Sequence, residues 1–190
     1  MKKTLLSLTL AAGLGTSLSG CFPVVAAGVG TGVVMATDRR TSGTFIEDQE
    51  IELKTDHNIA EQLGDKVHVN VTSVNRSVLL TGEASTEALR QQAEGIAAGV
   101  TNVKAVHNEI AVAAPSSLAS RGNDAYLTSL VKARFIDARK FDINHVKVVT
   151  ENGTVYLLGL TSHQEADDAT EIARTTGGVQ KVVRIFEYID

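Results

Sequence analysis

A single cysteine, Cys21, occurs in the 190 residues, so no disulfide can form within the chain and its folded parts are held by packing alone. No Gly-x-Ser-x-Gly elbow is present to carry a nucleophilic serine. The five histidines, His57, His68, His107, His145 and His163, form no His-x-x-x-His pair and no His–Cys cluster of metal-ligand spacing, so no metal is expected. Residues 22–37 carry no charge. Sixteen such residues still fall short of the roughly 20 that a membrane-spanning helix needs. Gly28, Gly30 and Gly32 do not follow a strand of a βαβ unit, which argues against a nucleotide loop. These gaps leave no cofactor, no nucleic-acid partner and no catalytic residue to expect.

What is present is a duplication. Asn152 to Leu160 superposes on Asn75 to Glu83 at an offset of 77, placing Val155 on Val78, Leu157 on Leu80 and Gly159 on Gly82. Val146 and Val148 fall on Val69 and Val71, and at an offset of 76 Ile172, Val179 and Val182 fall on Ile96, Val103 and Val106. One supersecondary unit therefore occurs twice. Units of this size bury only about 60% of their unfolded surface, so the two should touch.

In the first unit, Ile51, Thr55, Ile59 and Leu63 sit at helical spacing and Gly64 ends the helix. Val67, Val69 and Val71 alternate with polar residues as in a half-buried strand, which turns His68 to solvent. A turn at Asn75-Arg76, a strand through Gly82, a helix from Ser85 to Ala98 capped by Ser85, and a strand from Val103 to Val112 follow. The second unit repeats the order, with a helix Asp124 to Asp137 and Asn152-Gly153 as a two-residue hairpin turn. Arg76 stands where the second unit has Gly153, so a looser or different first turn is expected. Each unit reads αββαβ, an α+β fold with two helices on one face of a three-stranded mixed sheet. Gly82 and Gly159 are expected to be structural, permitting a bulge or close helix packing.

The first residues read as an export signal: Lys2 and Lys3, an apolar run from Leu5 to Leu14, then Leu18-Ser19-Gly20-Cys21. This ending resembles the lipobox of bacterial lipoproteins, which implies that Cys21 is acylated and begins the mature chain. Phe22 rather than Asp follows it, pointing to the outer membrane and the periplasm. The expected organisation is a signal peptide at 1–20, the acylated cysteine and a Gly/Ala-rich tether at 21–46, a first domain at 47–112, a linker at 113–122 and a second domain at 123–190.

Val78-Leu79-Leu80-Thr81-Gly82 with Val100-Thr101-Asn102-Val103, and Val155-Tyr156-Leu157-Leu158-Gly159 with Gly178-Val179-Gln180-Lys181-Val182, resemble the BON domain of bacterial envelope proteins. Asn102 stands where that family usually has Gly, and Arg184 replaces the residue that the first unit keeps as Asn108. A lipobox ahead of two such units is similar to the dual BON-domain lipoproteins of the Gram-negative outer membrane. The resemblance implies phospholipid binding, support of envelope integrity, enrichment at the division site, and no catalysis.

The two units differ in charge. From Asp48 to Asp65 the balance is −5, and from Lys132 to Lys147 it is +3. Anionic lipid attracts a basic segment by about 1 kcal/mol per nearby Lys or Arg. Tyr126, Leu127, Leu130, Val131 and Phe135 span about 180° of the helix Asp124 to Asp137, with Ile136 outside that arc, which is more apolar surface than a core stripe needs. These six residues, with Lys132 and Arg134, are the expected contacts to an anionic phospholipid membrane. Packing of the excess on the first unit, or docking of a protein or peptidoglycan partner on helix 124–136, are the other readings.

Overall fold

The computed structural model describes residues 38–190; Cys21, the signal and the tether lie outside them. Helix α1, Ser42–Leu63, begins where the Thr41 hydroxyl accepts from the Thr44 N–H at 3.1 Å and stops at Gly64 with φ 54°. It starts nine residues before the expected helix, because Thr44 and Asp48 continue the buried stripe of Ile51, Thr55, Ile59 and Leu63 with polar side chains. Strands β1, Val67–Val74, and β2, Ser77–Ala84, pair antiparallel from Val67↔Ala84 to Val74↔Ser77. Helix α2, Glu87–Ala98, is capped by Thr86, not Ser85, whose N–H instead bonds the Lys66 carbonyl. The returning strand runs parallel to β2 in two pieces, β3, Ala105–Asn108, and β4, Ala111–Val112.

The second unit repeats this with helix α3, Leu118–Ala138, strands β5, Lys147–Glu151, and β6, Thr154–Thr161, helix α4, His163–Arg174, and strand β7, Lys181–Tyr188. Here the third strand is unbroken and pairs with β6 from Thr154↔Lys181 to Thr161↔Tyr188. Helix α4 opens with a reciprocal capping box between Ser162 and Glu165. Helix α3 reaches back to Leu118, into the expected linker, because the Ser117 hydroxyl accepts from the Ser120 N–H.

Both hairpin turns are of one type. Asn75 and Arg76 adopt φ 51° and 67°, and Asn152 and Gly153 adopt 46° and 73°, the two successive positive values of a type I′ turn. The expected difference at Arg76 is therefore absent. A buried aspartate holds each turn: Asp48 accepts from the Asn75 and Arg76 amides at 2.8 and 2.7 Å, and Asp124 from those of Asn152 and Gly153 at 2.9 Å each. Asn102 likewise takes φ 70° where the second unit uses Gly178 at 95°, so the unusual residue keeps the loop.

Helix-facing side chains fill one core per unit, Val78 and Leu80 beneath α1 and α2, Val155 and Leu157 beneath α3 and α4. The helix-free faces of the two sheets meet. Val74 and Leu79 of the first unit pack with Tyr156 and Leu158 of the second in a third buried cluster. Asn70 donates to Glu151 at 2.9 Å, Lys147 to Glu52 at 2.8 Å, and Asn75 to Glu187 at 2.6 Å across this junction. His68 is half-buried on this face of the sheet and still partly open to solvent, with Nδ1 3.1 Å from the Glu83 carboxylate. Burial and the carboxylates of Glu109 and Glu151 push the Tyr156 hydroxyl up to about 12.

Candidate functional site

Helix α3 divides into a holding face and a free face. Asp124, Leu127, Val131 and Phe135 recur at helical spacing and are buried, Phe135 lying edge-on to Phe141 at 5.0 Å between ring centroids. Leu130 is half-buried. Leu127, Val131 and Phe135 are thus core residues, and the side chains expected to meet lipid there are taken up by the fold. Arg134 is also engaged inward: its guanidinium donates to the Ile172 carbonyl at 3.0 Å and to the Thr176 hydroxyl at 2.7 Å, closing the end of α4.

The free face keeps Tyr126 at 63% and Ile136 at 59% exposure. At 100° per residue, Leu118, Gly122, Ala125, Tyr126, Ser129, Lys132, Ala133 and Ile136 share an arc of about 120°. Lys132 is the one charged residue in that arc. Leu118, 84% exposed, is a large apolar residue inside the stretch expected to be linker. The capping serine at 117, just beyond Pro115, was the available signal. From Leu118 to Ile136 the stripe runs about 27 Å at 1.5 Å per residue.

The basic excess of this region is largely consumed. Lys140 bonds Asp168 at 2.5 Å, Lys147 pairs with Glu52, and Arg134 lies against α4. Lys132 and Arg139, the latter at the helix end with φ 51°, remain exposed for an outside anion.

Gly82 and Gly159 serve another purpose. A Cβ on either would stand 2.0 Å from a backbone oxygen, that of His68 or of His145. At Gly82 the close approach is between strands, β1 to β2, and at Gly159 it is to His145, the last residue of the short 3-10 turn ahead of β5. Among the described residues no group of three or more His, Cys, Asp or Glu is placed to hold a metal. A groove of about 540 Å³ between α1 and α2 is lined by Asn58, Gln62, Leu63, Gln92, Gly95, Ile96 and Gly99, with no ionisable side chain.

The described residues thus hold two consecutive αββαβ units, each with its hairpin tied to its first helix. The BON domain model matches residues 47–114 and again 123–189. The chain belongs to the BON domain family. It is similar to outer membrane lipoprotein DolP of Haemophilus influenzae, 37% identical over 91% of each chain. The 21 kDa hemolysin of Actinobacillus pleuropneumoniae is 33% identical over 80% of this chain and 79% of its own. Osmotically-inducible protein Y of Escherichia coli is 29% identical over 74% of this chain and 72% of its own. The protein is an outer-membrane lipoprotein with two BON units in the envelope. No described helix is long and apolar enough to cross a membrane.

Proposed function

We propose that this protein is a non-enzymatic lipoprotein, acylated at Cys21, that binds anionic phospholipid through α3 of its second BON unit. In that role it supports envelope integrity and is enriched at the division site. The observation that supports this reading is the free face of α3, where exposed Leu118, Tyr126 and Ile136 flank Lys132 with no acidic residue in the same arc. An aromatic and aliphatic stripe beside exposed cations is the composition of an interfacial helix. A tether ahead of Asp38, shorter than the expected 21–46 because α1 already starts at Ser42, would keep that face close to the bilayer.

Co-sedimentation of a chain of residues 22–190, which carries neither the apolar signal nor the acyl anchor, tests the reading. Vesicles containing phosphatidylglycerol should retain it and vesicles of phosphatidylcholine alone should not. Equal retention on both, or none on either, overturns the proposal. Tyr126→Ala, Ile136→Ser and Lys132→Glu should each weaken retention about fivefold or more, on the basis of about 1 kcal/mol per contact, with little change in melting temperature. Val131→Ala should instead lower the melting temperature, its side chain being in the core. A cross-linked protein or peptidoglycan partner lost with Tyr126→Ala while vesicle retention stays intact would transfer the same face to an adaptor role.

A further inference from the structure

The two units differ in how their last strand treats its outer edge. In the first unit Asn108 breaks it: Asn108 Oδ1 accepts from the Ile110 N–H at 3.2 Å, and Nδ2 donates to the Arg90 carbonyl at 3.0 Å and to Glu94 at 2.9 Å. The strand is interrupted at residues 109 and 110 although β3 and β4 keep one register on β2, and Asn108 takes up the Ile110 N–H, which would otherwise face outward for a partner strand. Arg184 occupies the corresponding place in the second unit and reaches out to Asp167 at 2.7 Å, leaving β7 continuous for eight residues. The opposite edges, β1 and β5, also lack a second strand partner, with α1 packed on β1 and α3 on β5. Glu52 of α1 also accepts the Ser73 N–H at 2.7 Å.

Strand β7 thus presents a row of backbone groups that no described strand takes up. The Ile189 N–H bonds the Thr161 carbonyl at 3.2 Å, which fixes the alternation. Odd-numbered residues of β7 turn their amides and carbonyls toward β6, while Val182, Arg184, Phe186 and Tyr188 turn theirs outward. The strand is rich in Val, Ile, Phe and Tyr, the residues that favour a sheet.

We propose that β7 pairs antiparallel with β7 of a second copy of this chain, joining the two second units into one continuous six-stranded sheet. A two-fold axis perpendicular to the sheet passes through Arg184. In that register Val182 faces Phe186 of the other copy, Val183 faces Ile185, and Lys181 faces Glu187 twice over. Val182, Val183, Ile185 and Phe186 each meet an apolar residue and Lys181 meets Glu187 on either side, which is what stabilises cross-strand neighbours, while Tyr188 meets Gln180 beyond them. The two Arg184 side chains at the axis each bring their own Asp167 carboxylate, so the central pair is neutralised. The neighbouring registers lose this match; moving the axis to Ile185 sets Arg184 against Phe186 and Val183 against Glu187. Pairing of this kind is closed at β7, since the two-fold axis uses that edge of both copies. Anchoring to one bilayer leaflet raises the local concentration at which the copies meet.

Cysteine cross-linking of the full-length protein in its native membrane tests the proposal. Arg184→Cys places two thiols at the axis, where facing Cα atoms of a hydrogen-bonded pair lie about 5.5 Å apart, within disulfide reach. Mild oxidation should give a dimer whose 184–184 disulfide is identified by peptide mapping, which separates it from any product of Cys21. Lys104→Cys, just ahead of β3 on the outer edge of the first unit, should stay monomeric. In detergent, the unaltered full-length chain should sediment as a dimer. Arg184→Pro, which removes one outward N–H, should sediment as a monomer with its melting temperature retained. A monomeric unaltered chain at tens of micromolar with no 184–184 link in the membrane overturns the pairing, as does equal cross-linking at 104.

Discussion

Asp48 is 1% exposed and accepts four hydrogen bonds: from the Asn75 and Arg76 amides, from the Ser73 hydroxyl at 2.7 Å and from Arg40 at 2.9 Å. Asp124 does the same for its hairpin through two amides. A carboxylate satisfied by backbone donors repays its burial, and its loss leaves those donors unpaired in the interior. Asp48→Ala and Asp124→Ala should each cost about 2–4 kcal/mol in urea unfolding. The larger loss is expected at Asp48, because Arg76 must hold a left-handed conformation that Gly153 adopts freely. Equal losses at the two sites would show that the aspartate does not offset that strain. Gly82→Ala is more severe. Its φ of 110° and the His68 oxygen 2.0 Å from any Cβ leave no adjustment short of moving β1, and a loss of at least about 3 kcal/mol should appear as a collapsed melting temperature.

At the scale of elements, the strands, the hairpins and the duplication could be read from alternation and offset because each is a local pattern. Helix starts could not. Helix α1 was cut short because Thr44 and Asp48 are polar, although they occupy the same buried stripe as Ile51 and Ile59. Their counterpart was visible, since Asp124 lies 76 residues after Asp48 just as Leu127 does after Ile51. The site was half legible for a related reason. An apolar arc of 180° shows that a helix has more than one buried stripe, but not which part the core takes. Packing against β5 assigned Leu127, Val131 and Phe135 to the core and left Tyr126 and Ile136 outside. The local charge balance hides the free cations for the same reason, because Lys147 and Arg134 find partners far away in sequence that no local window contains.

The whole molecule is joined at the point where the chain enters it. Arg39 and Arg40 are neighbours, yet Arg40 bonds Asp48 of the first unit while Arg39 bonds the second, reaching the Leu160 carbonyl at 3.0 Å and Glu165 at 2.5 Å. Two adjacent residues thereby staple both units beside the buried contact of Leu79 with Tyr156 and Leu158. Burial alone would raise the Glu165 carboxyl. Hydrogen bonds from Arg39, the Ser162 amide and His145 outweigh it and hold the group at about 2, down from 4.5. A folded value below the unfolded one means that this stabilisation is fully present above about pH 4.5 and is lost as pH falls toward 2. At 1.36 kcal/mol per unit, roughly 2 kcal/mol should disappear between pH 7 and pH 3. Glu165→Gln isolates the charge, because glutamine still serves as the third residue of the capping box. Urea unfolding at both pH values should show a fall in stability smaller by roughly 2 kcal/mol in the variant than in the parent chain. Calorimetry at pH 7 should then resolve two transitions in Arg39→Ala where the parent shows one, the units having lost the staple that makes them unfold together. An unchanged acid limb in Glu165→Gln, with a single transition in Arg39→Ala, would place the coupling in the sheet–sheet contact alone.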